Sequence, residues 1–192
     1  MDESELRGLI KVRGGMTTLE GSSAAASIRL AQLREDAKLP GLDFEQAVKG
    51  DIRLRAVGIS ADLSRRAMIE MGNALSLAGG TASDLDGVLL ALTQIASKGK
   101  VSAEEINQIA ERVPQVRAVM KNIFGTADTE VLQKMNIEAS TFIEKLVGGF
   151  GQLARAKAGL DEDLTDIASS IKMLIAEGAG PIVQQLVTVF RD

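Results

Sequence analysis

The chain has 192 residues, 22 Lys and Arg against 26 Asp and Glu for a net charge of −4, and 45% apolar residues, of which only five, all Phe, are aromatic. It contains no His, Cys, Tyr or Trp, which removes the side chain suited to proton transfer near neutral pH, the thiolate nucleophile, the common zinc ligands and any disulfide framework. The basic residues are scattered, so no nucleic-acid footprint is visible, and neither a secretory leader nor an apolar run of about 18 to 20 residues able to span a membrane is expected.

A core built from Leu, Ile, Val, Ala and Met, with little else that favours strands, points to helices. Residues 1–17, with Gly8, Gly14 and Gly15, read as a flexible or partner-dependent lead-in. Residues 18–39 are rich in Ala, Leu, Arg and Glu, predicting a helix that Pro40-Gly41 stops. Phe44, Val48 and Ile52 recur every four residues, predicting a helix capped by Asp43 that runs to about Val57 and ends at Gly58. Ser60 is placed to cap the next, whose Leu63, Ala67, Met71 and Leu75 share a face as far as Gly79-Gly80.

Ser83, with Asp86 at the capping-box position, opens a helix carrying the stripe Leu85, Val88, Leu89, Leu92, Ile95 and Ala96. Ser102-Ala103-Glu104-Glu105 is a second capping box, followed by Ile106, Ile109, Ala110 and Val113 at helical spacing. Pro114 ends that helix or opens the next, whose Val116, Val119, Met120, Ile123 and Phe124 are closed off by Gly125, and a short helix near 128–135 follows. From Glu138 the stripe Phe142, Leu146, Phe150 and Leu153 predicts a longer helix reaching about Ala158. Gly148, Gly149 and Gly151 weaken its middle. Each internal Gly costs about 1 kcal/mol relative to Ala, so close helix packing or a break is expected there. After Asp161-Glu162-Asp163, a further stripe of Leu164, Ile167, Ile171, Leu174 and Ile175 is interrupted at Gly178, Gly180 and Pro181 and resumed by Ile182, Leu186, Val189 and Phe190.

The expected fold is therefore all-α: a compact multi-helix bundle of short helices, antiparallel or steeply crossing because the loops are short, over residues 18–158, with a helical C-terminal tail over 159–192. No repeat of fixed period appears, which disfavours a solenoid.

No constellation of residues carries chemistry. Asp161, Glu162, Asp163 and Asp166 lack the spacing of a calcium loop and suit a helix N-terminus. Lys98-Gly99-Lys100 lacks the upstream Gly and the following Ser or Thr of a phosphate loop, and reads as a helix C-terminus with cations near its negative end. Gly79-Gly80 and Gly148-Gly149-Phe150-Gly151 follow no strand and so are not dinucleotide fingerprints. Glu104, Glu105 and Glu111 read as a solvated helix face rather than an acid/base pair. Catalytic, cofactor-binding and metal-binding residues are accordingly all assigned as none, and no cofactor or small-molecule substrate is expected.

Residues 89–114, LLALTQIASKGKVSAEEINQIAERVP, resemble the signature of the tape measure domain of tailed-phage and prophage tail length proteins. LPGLDFEQA at 39–47, LRAVGIS at 54–60, FGTADT at 124–129 and FIEKL at 142–146 are similar to further parts of that family, so the resemblance covers roughly residues 30–155. Glu138 departs from it, standing where a capping Ser is expected. The resemblance implies a virion structural protein in the lumen of the phage tail, made in the bacterial host cytoplasm, acting in tail assembly and length determination. The implied partners are tail tube, tail tip or baseplate, or tail chaperone proteins, or further copies of the chain, without direct nucleic-acid binding. A free-standing helical adaptor is the alternative, and a membrane-active segment for genome delivery at 173–190 is another, although Glu177 and Gln184-Gln185 interrupt its apolar run. A cell-wall hydrolase, the competing enzymatic reading, lacks zinc ligands and a convincing acid.

Overall fold

A computed structural model of the protein describes the backbone of residues 3–155 and the side chains of residues 11–155. The described residues fall within one compact unit, Met1–Ala156, and the second unit, Lys157–Asp192, lies outside them. The expected tail over 159–192, its acidic cluster and the 173–190 segment therefore also lie outside the described residues.

Within the described residues the elements are all helical: α1 (Glu3–Glu20), α2 (Ser23–Asp36), α3 (Phe44–Ala56), α4 (Ala61–Ala78), α5 (Ala82–Lys98), α6 (Ala103–Arg112), α7 (Val116–Phe124), α8 (Thr129–Lys134) and α9 (Ala139–Phe150). Strand-like pairing there is confined to a single isolated bridge between Lys100 and Glu138. The fold is thus the expected all-α, multi-helix arrangement.

The expected lead-in needs correction. Residues 3–20 form a helix rather than a loose segment, and Met16 is fully buried. The helix expected over 18–39 is split, because Gly21 adopts φ 75° and Ser22 caps α2 by accepting from the Ala25 N–H. A left-handed Gly followed by a Ser cap is a complete stop and start signal.

Asp43 caps α3 by accepting from the Gln46 N–H, and Ser60 caps α4 by accepting from the Leu63 N–H, as the sequence predicts. The start of α5 moves by two residues: Thr81, not Ser83, is the N-cap, and its partner is Asp84, not Asp86. The Thr81 hydroxyl and backbone N–H donate to Asp84, which holds that carboxyl below the usual range. Ser102 stands at the N-cap of α6 but makes no capping bond to the backbone, and α9 starts at Glu138 likewise without a side-chain cap. The Ala139 N–H instead donates to the Gly99 carbonyl across the loops (3.3 Å), so pairing outside the helix anchors that start.

The core is densest from α3 to α9, and Met16 of α1 with Ala26 and Leu33 of α2 extend it. Leu54, Met68, Met71, Leu75, Leu85, Leu89, Leu92, Ile95, Phe142 and Phe150 are all completely enclosed. All but Leu54 and Met68 are stripe positions the periodicity singles out, whereas Phe44 and Ile52 of the α3 stripe are only partly buried, and Leu54 and Met68 fill the interior beside them. At α9 the glycines serve packing. A Cβ on Gly149 would lie 2.7 Å from Val119 Cγ1 and 2.3 Å from Ile123 Cδ1, so α7 crosses α9 at a distance only Gly permits, whereas a Cβ on Gly148 would meet nothing within 4 Å. The helix stops at Phe150, well short of Ala158, and Leu153 turns back to lie against the core.

Neighbouring glycines should therefore respond with opposite signs. Gly149→Ala is expected to destabilise the fold by about 1–3 kcal/mol through overpacking, and Gly148→Ala to stabilise it by up to about 1 kcal/mol through helix propensity. Urea midpoints of the two variants check this.

Candidate functional site: buried ion pairs and exposed helix faces

The weighed constellations land in separate places. Lys98 and Gly99 end α5, with Gly99 at φ 70°, so Lys98-Gly99-Lys100 is a helix terminus, as its sequence indicates. Gly79 closes α4 in the same left-handed conformation. Glu104 and Glu111 are exposed, but Glu105 is not: its side chain is 1% exposed. The expectation of a solvated face is therefore wrong for Glu105.

The reason is a three-residue cluster that joins the end of α5 to the start of α6. Lys98 Nζ and Ser102 Oγ both donate to the Glu105 carboxylate. Ser102 thus turns to the side chain three residues on instead of to the backbone, which is why the capping box does not close. Burial pushes the Glu105 carboxyl upward, but the bonds from Lys98, Ser102 and its own backbone N–H, with the Lys98 charge, outweigh this and hold it below the ordinary value.

A carboxylate lowered in the folded state stabilises the fold above its unfolded pKa, about 4.3 for Glu, and that contribution is lost as pH falls through the folded pKa. Stability should thus decline on the acid side of about pH 5, from this group among others. Glu105→Gln should make the acid limb shallower, as read from thermal midpoints between neutral and acid pH.

A second set of buried charges joins α1 and α2 to α3 and α4. Asp51, fully buried on α3, accepts from Arg29 Nε (3.1 Å) and Arg29 Nη2 (2.6 Å) of α2 and from Ser64 Oγ (2.8 Å) of α4. Arg29 Nη2 also donates to the Ala61 carbonyl (2.8 Å). Arg55 lies 3.6 Å from Asp51 and bonds Glu20 of α1, and Arg65 of α4 holds Asp36 of α2 in a two-bond fork (2.6 and 2.6 Å). The fork raises the Arg65 pKa further.

Sequence reasoning missed this set, although a signal existed. Asp51 lies three residues after Val48 and seven after Phe44, on the apolar face of α3, while Arg29 and Asp36 share a face with Ala26 and Leu33. Charges at core positions announce buried pairing, because an unpaired charge there is too costly.

Chemically these clusters hold the fold. Every buried carboxylate among them is already engaged by Arg, Lys or Ser, and among the described residues no group of three or more acidic, His or Cys side chains is arranged to bind a metal ion. No described helix is long and apolar enough to cross a membrane. Large apolar side chains exposed on the described surface are Ile28 on α2 (73% exposed), Leu39, Leu77 on α4, Leu90 on α5, and Val131 and Met135, four residues apart on α8 and at its C-cap.

A family model described as tape measure protein matches residues 10–181. The match is wider than the 30–155 expected from the motifs and begins inside α1, in agreement with that segment being part of the fold. No curated protein and no solved structure matches the chain. With nine-tenths of its length matched and an all-helical fold built around the signature at 89–114, the chain belongs to the tape measure protein family, structural proteins of the phage tail.

Proposed function

We propose that the described part of this chain is a folded module that acts in tail assembly and length determination from within the tail tube, holding the tape measure to its partners rather than measuring length itself. The observation that carries this reading is the way the helices turn back on each other. A ruler needs extension, and 192 residues as one continuous helix would reach about 290 Å. The longest described helices, α1 and α4, have 18 residues each, about 27 Å. They share one core with their neighbours, so the length is folded away.

The exposed apolar side chains on α2, α4, α5 and α8 are the surfaces through which such a module meets tail tube, tail tip or tail chaperone proteins. Co-purification of the chain with the tube and tip proteins of the phage that encodes it tests the reading. Stable association with at least one is expected, and lack of association with all of them under native conditions would remove it.

A further inference from the structure

We propose that the α1–α2 hairpin is a latched arm that undocks from α3 and α4 as a unit while α5 to α9 stay folded. The side-chain bonds that bind it to the rest of the module centre on three charge pairs, two along α2 and one at the end of α1. Asp36, at the end of α2 next to the loop into α3, pairs with Arg65. Arg29, midway, pairs with Asp51 and reaches the Ala61 carbonyl. Glu20, at the far tip where α1 turns into α2, pairs with Arg55, which also reaches the Leu19 carbonyl (3.5 Å) and lies 3.9 Å from the Met16 sulfur.

Each pair has one member on the hairpin and one on the body, and the signs are mixed on both sides. One docked register satisfies all three. A shifted register leaves charges buried without partners.

The pivot is built as well. Gly41, in the loop after α2, stands against the backbone of Gly72 on α4, where a Cβ would lie 2.1 Å from the Gly72 oxygen. That clasp fixes the base of the arm while the pairs hold its length. Beyond the pairs, the described side chains of the hairpin contribute Met16, Ala26 and Leu33 to the buried core, with Val12 and Leu30 partly enclosed.

Opening such an interface returns six charged groups to water, and their hydration offsets much of the attraction that is lost, whereas separating α5 from α9 exposes Leu and Phe with no such return. The arm therefore opens at lower cost than the α5–α9 core. Its release uncovers Asp51, Arg55 and Arg65 together with Ile52 on the body.

Hydrogen exchange of the full chain, read by mass spectrometry, tests the proposal. In the unaltered chain, peptides from 11–36 should exchange together and at least tenfold faster than peptides from α5 and α9. Glu20→Gln, which breaks the pair at the tip with little change in shape, should speed the 11–36 block about three- to tenfold and leave α5 and α9 unchanged. Arg65→Gln, at the base, should act on the same block. Equal protection of 11–36 and α5, or an equal shift of every helix in the variants, would overturn it. A chain that binds tail proteins yet shows equal protection would leave the functional reading standing and remove the arm.

Discussion

Replacing Gly41 with Ala should cost the fold about 3–5 kcal/mol, a large effect for the addition of one methyl group. Two penalties combine. The residue has φ 77°, a left-handed conformation that costs an L side chain about 1–2 kcal/mol. The added Cβ would also lie 2.1 Å from the Gly72 oxygen, 2.7 Å from the Gly72 carbonyl carbon and 2.7 Å from Ser76 Oγ. Two of these atoms are backbone of α4, so no rotamer change relieves the overlap, and the loop or the helix has to move.

Gly79 separates the two penalties. It has φ 71° but open space around the missing Cβ, so Gly79→Ala should show the conformational cost alone, about 1–2 kcal/mol. Urea denaturation of both variants reads the difference. Equal losses would mean that the approach of the loop to α4 carries no energetic weight.

The second large effect is expected at Phe142. Its ring is fully buried and stacks on Phe124, with centroids 5.2 Å apart and planes 6° from parallel. Phe142→Ala removes a ring from the junction of α7 and α9, and losses for such truncations run to about 3–5 kcal/mol because the surroundings only partly collapse. Phe124 is only partly buried, so Phe124→Ala should cost less. Thermal or urea unfolding of the pair gives the ordering, and a larger loss at Phe124 would contradict the placement of the two rings.

Much of this fold is legible from the sequence, for an identifiable reason. Stripes such as Leu85, Val88, Leu89, Leu92 and Ile95 repeat at helical spacing and are all buried, and Asp43 and Ser60 cap the helices that follow them. Such signals are local, and local signals survive without knowledge of the fold.

The failures lie where local signals compete or a distant residue decides. Thr81-Ala82-Ser83-Asp84 offers two caps, and the reciprocal bond from Asp84 selects Thr81. Ser102 has the spacing of a capping box, yet Lys98, one helix earlier, draws Glu105 into the interior and Ser102 follows it. The glycine-rich run at the end of α9 looks like weakness until Val119 and Ile123 are placed beside Gly149.

The hydrogen-bond partners of Asp51 lie 13 and 22 residues away in sequence and on two other helices, which no periodicity can show. The candidate surfaces share that difficulty. Leu90 sits in a segment whose other apolar residues are largely buried, and Ile28 sits between the buried Ala26 and Leu33, so only the packing of α2 and α5 shows that these two face outward.

A module of this kind requires the stretch to be folded back rather than drawn out, and Glu70 and Arg155 report on that directly. They are 85 residues apart in sequence and joined by two bonds of 2.8 Å. The chain has no Cys of its own, so Glu70→Cys and Arg155→Cys can carry a donor and acceptor dye without background labelling. Energy transfer between them should be nearly complete in the purified chain. A continuous helix would set the same positions about 130 Å apart, and the absence of transfer would contradict the folded module.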